Sequence, residues 1–246
     1  MSVDLLQGAE VLFSEGLPTN DDGSLYSFAW TGSISEESTT DFLRKFQRVK
    51  NVKEVFADID SQEMFASVPQ NLIMAFADGD IAYFLANTMP IRKSNKPYTG
   101  CRILDGSKSD DDWVGYVKPK DLPRVINPKK GFIVTANNRQ MPDNVNIDVG
   151  ATITSTIRAQ RITELIQKGI DANHKFDYND MLTIQNDTVD LMARDITPLV
   201  TKLAIEMLDV LSPIHAEHTQ EIIGKLIHWY GDMSESSVGA TVFATW

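Results

Sequence analysis

One stretch, Asn71–Arg92, constrains the fold of this chain more than any other. Two short apolar runs, Leu72–Ala77 and Ile81–Ala86, flank Asp78-Gly79, a dipeptide that readily supplies the positive φ angles of a tight type I′ turn. This pattern predicts a β-hairpin. Because apolar side chains alternate onto both faces of each run, we expect the hairpin to lie in a sheet covered on both sides. The sequence therefore predicts a layered architecture of helices and sheet.

The composition is that of a globular protein and argues against two classes of partner. The 246 residues are 42% hydrophobic and 23% charged, with a formal net charge of −11. Nucleic acids are bound through clustered Lys and Arg, so no nucleic-acid partner is expected. The apolar runs are shorter than the ~20 residues of a membrane-spanning helix, and Met1–Glu10 does not resemble a signal peptide. Cys101 is the only cysteine, and the compartment is left open.

The chain is predicted to form a single domain over 1–246, with a strand-rich part at 16–150 and a mainly helical part at 151–246. Ser24–Thr31 and Gly131–Ala136 have the patterns of strands. A helix near Phe46 and a second one from Val52 should cover one face of the sheet. Helical spacing in the second part predicts four further helices, at Ile157–Gln167, Phe176–Met192, Ile196–Leu211 and Ala216–Tyr230.

Two polar pairs allow both a functional and a structural interpretation. Asn137-Asn138 follows a predicted strand and can present a carboxamide donor at the mouth of a sheet, but two Asn are also ordinary turn residues. Arg158 and Arg161 lie three apart on a predicted helix. They form either a solvated stripe or a guanidinium pair that faces an anionic substrate, and spacing alone does not choose between these.

Two further motifs are weaker. His215 and His218 have a spacing that can hold zinc, but no third ligand is evident and an exposed polar face explains them equally well. Asn186-Asp187-Thr188 matches the glycosylation pattern, but we expect it to lie in the middle of a helix.

A series of motifs in a fixed order resembles the C-terminal chain of the penicillin amidase family, whose members are hydrolases with an N-terminal serine nucleophile. The resemblance covers most of the chain after Ser24. The matching segments are FAWT at Phe28–Thr31, PQN and AFADGDIAYFLANTMPIR within Pro69–Arg92, Pro97 and Gly100, DWVG at Asp112–Gly115, Leu122-Pro123, NPKKGFIVTANN at Asn127–Asn138, RAQRI at Arg158–Ile162, the helix at Asp180–Ala193 and SVGATVFATW at Ser237–Trp246.

This resemblance implies an α+β fold, namely an αββα sandwich of two antiparallel sheets between helical layers. It also implies hydrolysis of a non-peptide amide, such as the acyl side chain of a β-lactam or an N-acyl homoserine lactone. The oxyanion-hole asparagine of the family falls on Asn137 and its substrate-site arginine on Arg161. One calcium-ligand aspartate falls on Asp148, whereas another family ligand near Asn95 is not matched.

The segments that resemble the family do not include its nucleophile. No segment before Ser24 resembles the start of the family's chain, and the family continues beyond the position of Trp246. We therefore expect an incomplete sandwich that is not active as this chain alone, with another polypeptide completing the fold and carrying the nucleophile. The alternatives are a truncated gene product and a catalytically inactive family member that serves as a structural or binding subunit. An unrelated α+β binding protein is a third alternative.

Overall fold

The computed structural model describes residues 29–33, 44, 46–61, 69–93, 100, 103–110, 112–141 and 155–245. Contacts divide the chain into two compact units, each described by itself below. The first consists of Met1–Ile133 with Gln140–Ile153, and the second of Val134–Arg139 with Thr154–Trp246. Within the described ranges, no helix combines the length and the apolar character needed to cross a bilayer.

The described part of the first unit contains a helix at Val52–Asp60, two small sheets and short 3-10 turns. An antiparallel sheet has the strand order β1-β2-β5, and β3 and β4 pair antiparallel in a second sheet. The elements are α1 (Val52–Asp60), β1 (Gln70–Ala75), β2 (Ile81–Ala86), β3 (Pro90–Arg92), β4 (Trp113–Tyr116) and β5 (Arg124–Ile126), with 3-10 turns at Thr31–Ser33 and Pro119–Asp121.

The predicted hairpin is confirmed as β1 and β2, but its predicted two-residue type I′ turn is wrong. The Phe76 N–H donates to the Asp80 carbonyl at 2.9 Å and the Gly79 N–H donates to the Phe76 carbonyl at 3.0 Å. Gly79 has φ +94°, whereas Asp78 is not in the left-handed region. This is a three-residue connection that ends on a left-handed glycine. The Asp78 carboxylate favours it by accepting the Asp80 N–H at 3.2 Å.

Helix α1 covers one face of the hairpin, as the sequence predicted. Ile59 and Phe84 are fully buried between helix and sheet, and the rings of Phe56 and Phe84 meet edge to face with centroids 6.1 Å apart. Burying one such side chain contributes about 1.5–3 kcal/mol. The opposite face is covered only in part, since Tyr83 is buried but its cross-strand neighbour Ile73 is 50% exposed.

One strand prediction is wrong, and a second is tested only at its last three residues. Gly131–Ala136 has no ladder partner among the described strands, and the side chain of Asn138 takes the Ala136 N–H instead. The strand predicted at Ser24–Thr31 falls on residues of which 24–28 lie outside the described ranges. Its last residue belongs to the 3-10 turn Thr31–Ser33, so no strand reaches that position.

The second unit is helical, as predicted, but its helices begin and end at other residues than predicted. The single helix predicted over Phe176–Met192 is two helices, because Asp190 starts a new one by accepting the Ala193 N–H with its carboxylate at 2.9 Å. Pro198 lies inside a helix rather than near its start. The helices are α2 (Ile157–Asp171), α3 (Tyr178–Gln185), α4 (Leu191–Met207), α5 (Pro213–Leu226) and α6 (Val238–Ala244), with a 3-10 turn at Leu208–Val210.

Candidate functional site

Asn137 lies on a bend of the segment that precedes α2, in the second unit. Its backbone is left-handed, with φ +63°, a conformation that Asn adopts more easily than most residues because its short polar side chain bonds locally. The preceding residue, Ala136, is 7% exposed, whereas Asn137 is exposed. The backbone is thus held by packing on one side and presents the Asn137 carboxamide on the other.

Arg158, in the first turn of α2, holds this carboxamide. Its Nη2 donates to the Ala136 carbonyl at 2.7 Å and to Oδ1 of Asn137 at 2.8 Å. A guanidinium only donates hydrogen bonds, so the amide oxygen must face it and the amide NH2 must point elsewhere. No described residue accepts a hydrogen bond from that NH2 group. Asn137 is therefore an oriented donor with its N–H groups available.

The neighbouring Asn138 is different, because both ends of its carboxamide are used by the local backbone. Its Oδ1 accepts the Ala136 N–H at 3.1 Å and its Nδ2 donates to the Arg139 carbonyl at 3.3 Å. These are the contacts of a turn residue. Of the two interpretations of the Asn pair, the structural one thus fits Asn138, whereas the NH2 group of Asn137 has no described acceptor.

Arg161 lies one turn further along α2 and binds carboxylates instead of the Asn pair. Its Nε and Nη2 donate to the two oxygens of Asp187, each at 2.8 Å, and its Nη1 donates to Glu164 at 3.2 Å. The two-point contact with Asp187 is the strong form of a charged hydrogen bond. Glu164 is also bound by Arg194 of α4, at 2.9 and 3.0 Å. Arg161 is therefore part of an ion-pair network with Asp187, Glu164 and Arg194, and Arg194 also binds Asp195 at 3.0 Å.

This network changes the protonation equilibria of its members. The hydrogen bond from Arg161 holds the pKa of Asp187 below its usual value, and that from Arg194 does the same for the pKa of Glu164. In return, the pKa of Arg161 is raised, chiefly by its bond to Asp187. All four groups are therefore charged at neutral pH.

Three members of the network, Asp187, Glu164 and Arg194, were not found from the sequence. Asp187 was expected in the middle of a helix, and that expectation is wrong: α3 ends at Gln185 and Asn186 is its C-cap. The run of cap-type residues from Asn186 to Asp190 was the available signal for a helix break. The pairing of Asp187 with a side chain 26 positions earlier has no local signal.

The model of the penicillin amidase family, described as "Penicillin amidase", matches residues 10–246. The chain belongs to the penicillin amidase family. The resemblance noted in the sequence is thereby confirmed.

Named relatives agree with this membership. The chain is 27% identical over 186 residues to the penicillin acylase 2 proenzyme of Pseudomonas sp. strain SE83, covering 75% of this chain and 22% of that protein. It is 24% identical over 212 residues to the acyl-homoserine lactone acylase QuiP of Pseudomonas putida KT2440, covering 84% of this chain and 25% of the relative. The chain thus spans about a quarter of the length of these relatives.

A solved structure, the thermostable penicillin G acylase from Alcaligenes faecalis, resembles the fold. The TM-score is 0.55 at 18% identity, and the match covers 78% of this chain and 32% of that chain. Together with the helices of both units and the sheets of the first, this likeness supports the α+β class predicted from the sequence.

The one predicted calcium ligand, Asp148, lies outside the described residues. Calcium takes six to eight oxygen ligands, and one matched aspartate is too small a donor set to define a site. Within the described part of the chain, no three His, Cys, Asp or Glu side chains are grouped as metal ligands. His215 bonds through Nδ1 to Oγ of Ser212 at 2.8 Å.

Proposed function

We propose that this chain supplies the oxyanion donor and part of the substrate site of an amidohydrolase of the penicillin amidase family. The substrate class is a non-peptide amide, such as the acyl side chain of a β-lactam or an N-acyl homoserine lactone. The observation that carries the proposal is the Asn137 carboxamide, whose oxygen is held by Arg158 at 2.8 Å and whose NH2 group is available.

The chemistry of amide hydrolysis requires such a donor. Attack of a nucleophile on the amide carbon converts the carbonyl oxygen into an oxyanion, and a preorganised N–H donor lowers the energy of that state. The Asn137 NH2 group fits this role because its orientation is fixed before substrate binds. The nucleophile itself, an N-terminal Ser, Thr or Cys with its free amine as base, comes in this proposal from another polypeptide or segment.

Arg161 is proposed to bind an anionic group of the substrate. A guanidinium has five N–H groups, and three of those of Arg161 donate to Asp187 and Glu164. The remaining two N–H groups have no described partner, so an anion can bind without breaking the pair with Asp187. The ion pair would then keep the guanidinium in one position.

An exposed apolar stripe on α4 supports association with the polypeptide that completes the fold. The apolar residues of this stripe recur at intervals of three or four positions, which places them on one face of the helix. Leu199 is 63% exposed and Leu203 58%. Because the matched region is only 22–25% of these relatives, the occupant that we propose is the part of such an acylase that lies outside this region. The stripe consists of Met192, Ile196, Leu199, Leu203 and Met207.

The activity is tested on the protein purified from its source with all its subunits. Amide hydrolysis of β-lactams with acyl side chains and of N-acyl homoserine lactones is assayed by amine release. Turnover that is lost on Asn137→Ala supports the proposal. Native mass spectrometry then identifies the partner, which should begin with an unblocked Ser, Thr or Cys. A stable monomer of this chain with a cooperative melt would contradict the proposed association.

The alternative is an inactive member of the family with a structural or binding role. The engagement of Arg161 with two carboxylates favours it, since the same contacts stabilise a fold without any chemistry. Under this alternative, the assembly forms through the α4 stripe but releases no amine from any acylated substrate, and Leu199→Glu dissociates it.

A further inference from the structure

We infer that Arg158 is a positioning residue that orients the amide of Asn137 for catalysis. The inference rests on the proposed function, in which Asn137 is the oxyanion donor. Sequence spacing offered Arg158 only as a solvated residue or as a ligand for an anionic substrate. The structure instead shows Arg158 bound to the donor residue, through Nη2, at 2.8 Å.

An unrestrained Asn cannot serve as a preorganised donor. The side-chain amide rotates by half a turn at little cost, and this rotation exchanges the oxygen and the NH2 group. In the rotated form the oxygen would face the developing oxyanion and repel it. Asn137 is exposed, so packing alone does not select one of the two forms.

Arg158 selects the form in which the amide oxygen faces it, because a guanidinium group carries hydrogen-bond donors and no acceptor. With the amide rotated, the NH2 group of Asn137 would face the N–H groups of the guanidinium, and the bond at 2.8 Å would be lost. The guanidinium is itself fixed to the backbone by the second bond of Nη2, to the Ala136 carbonyl at 2.7 Å. These two bonds close a short ring through Arg158, Ala136 and Asn137.

The backbone of Arg158 is held in place by helix α2. The residue is in the first turn of α2, which continues to Asp171, and its neighbour Ala159 is 8% exposed. Arg161 on the same helix does not take over the function, because its fork is bound to Asp187. Of the two arginines, we therefore infer that only Arg158 orients the Asn137 amide.

Kinetics of the complete enzyme test the role through a double-mutant cycle. Arg158→Met should lower kcat about tenfold, a part of the ~10²–10³ expected for loss of the donor, with KM within about twofold of the parent. In the Asn137→Ala background the same change should lower kcat by less than about twofold, since there is no amide left to orient. Equal losses in both backgrounds would overturn the inference.

Two control variants separate orientation from charge. Lys168→Met removes a positive charge from the same helix and should leave kcat unchanged. Arg158→Lys keeps the charge without the planar fork, so its kcat should lie between those of the parent and Arg158→Met. Full activity of Arg158→Lys, or an equal loss in Lys168→Met, would mean that charge alone acts and would overturn the inference.

A spectroscopic measurement needs no activity. With 15N-asparagine labelling, the side-chain NH2 signals of Asn137 are identified by their absence in Asn137→Ala. Arg158→Met should shift this signal pair and lower its order parameter, while the Asn138 pair keeps its values. Unchanged Asn137 signals would overturn the inference. If the parent hydrolyses no amide but the signals respond, the proposed reaction fails and the orientation by Arg158 stands.

Discussion

Arg158 and Arg161 lie three residues apart on α2, yet their surroundings differ. Arg158 is exposed and binds neutral oxygens, a backbone carbonyl and the Asn137 amide. The side chain of Arg161 is 21% exposed and lies against the carboxylates of Asp187 and Glu164. The same residue type at neighbouring positions of one helix therefore binds a carboxamide in one case and carboxylates in the other.

We expect the partner, and not the arginine, to determine the role. A guanidinium paired with carboxylates contributes mainly to stability, because removal of either partner leaves a charge without compensation. A guanidinium that binds an amide contributes little to stability but fixes the direction of that amide. Variants of the two regions should therefore separate effects on turnover from effects on folding.

The largest effect is expected at the donor itself. Asn137→Ala should lower kcat by roughly 10²–10³, about 3–4 kcal/mol of transition-state stabilisation, since the oxyanion loses its fixed N–H. KM should stay close to that of the parent, and the melting temperature should fall only slightly, because the residue is exposed but Ala adopts φ +63° less easily than Asn. Steady-state kinetics and calorimetry check both expectations. Asn138→Ala is the matched control, with a change in kcat below about threefold. Full turnover of Asn137→Ala would make both asparagines turn residues.

The next effect concerns folding. Arg161→Met should lower the free energy of unfolding by about 2 kcal/mol, because it removes the two-point bond to the half-buried Asp187. Arg161→Lys keeps the charge but loses the fork, so we expect a smaller loss of stability together with a raised KM or a lowered kcat. Urea unfolding of each variant measures the stability. If Arg158→Met costs as much stability as Arg161→Met, the contrast between the two regions is wrong.

Acidification should lower the free energy of unfolding of the second unit. The folded protein holds the pKa values of Asp187 and Glu164 below their ordinary range. Their stabilisation is therefore present above the unfolded-state values of about 4 and is lost as the pH falls through the folded pKa values. Asp187→Asn should flatten this loss in unfolding curves taken from pH 6 to pH 3, while Asp209→Asn, at an exposed residue, should not. An unchanged slope in Asp187→Asn would exclude the ion pair as the cause.

The smallest effect is expected at the outer edge of the network. Arg194→Met removes the bond to the exposed Asp195 and the bond to Glu164, whose side chain is 41% exposed and keeps its contact with Arg161. Water screens such a pair, so the loss should be about 1 kcal/mol or less. Thermal unfolding measures it, and a loss as large as that of Arg161→Met would show that the network acts as one unit.

The sequence by itself determined the local elements and the family. The alternation of apolar residues around Asp78-Gly79 predicted the hairpin, and helical spacing predicted the helices that follow Ser155, because both depend on side chains close in sequence. The order of motifs indicated the penicillin amidase family, which the family model confirms over residues 10–246.

Tertiary structure alone decided which polar side chains are paired. Nothing near Arg161 in the sequence announces Asp187, and nothing near Asn137 announces Arg158, since these partners are 26 and 21 positions apart. The same holds for Gly131–Ala136, whose alternating pattern is that of a strand, although no described strand pairs with it. A strand and an ion pair both need a partner at a particular distance, and only the folded chain sets that distance.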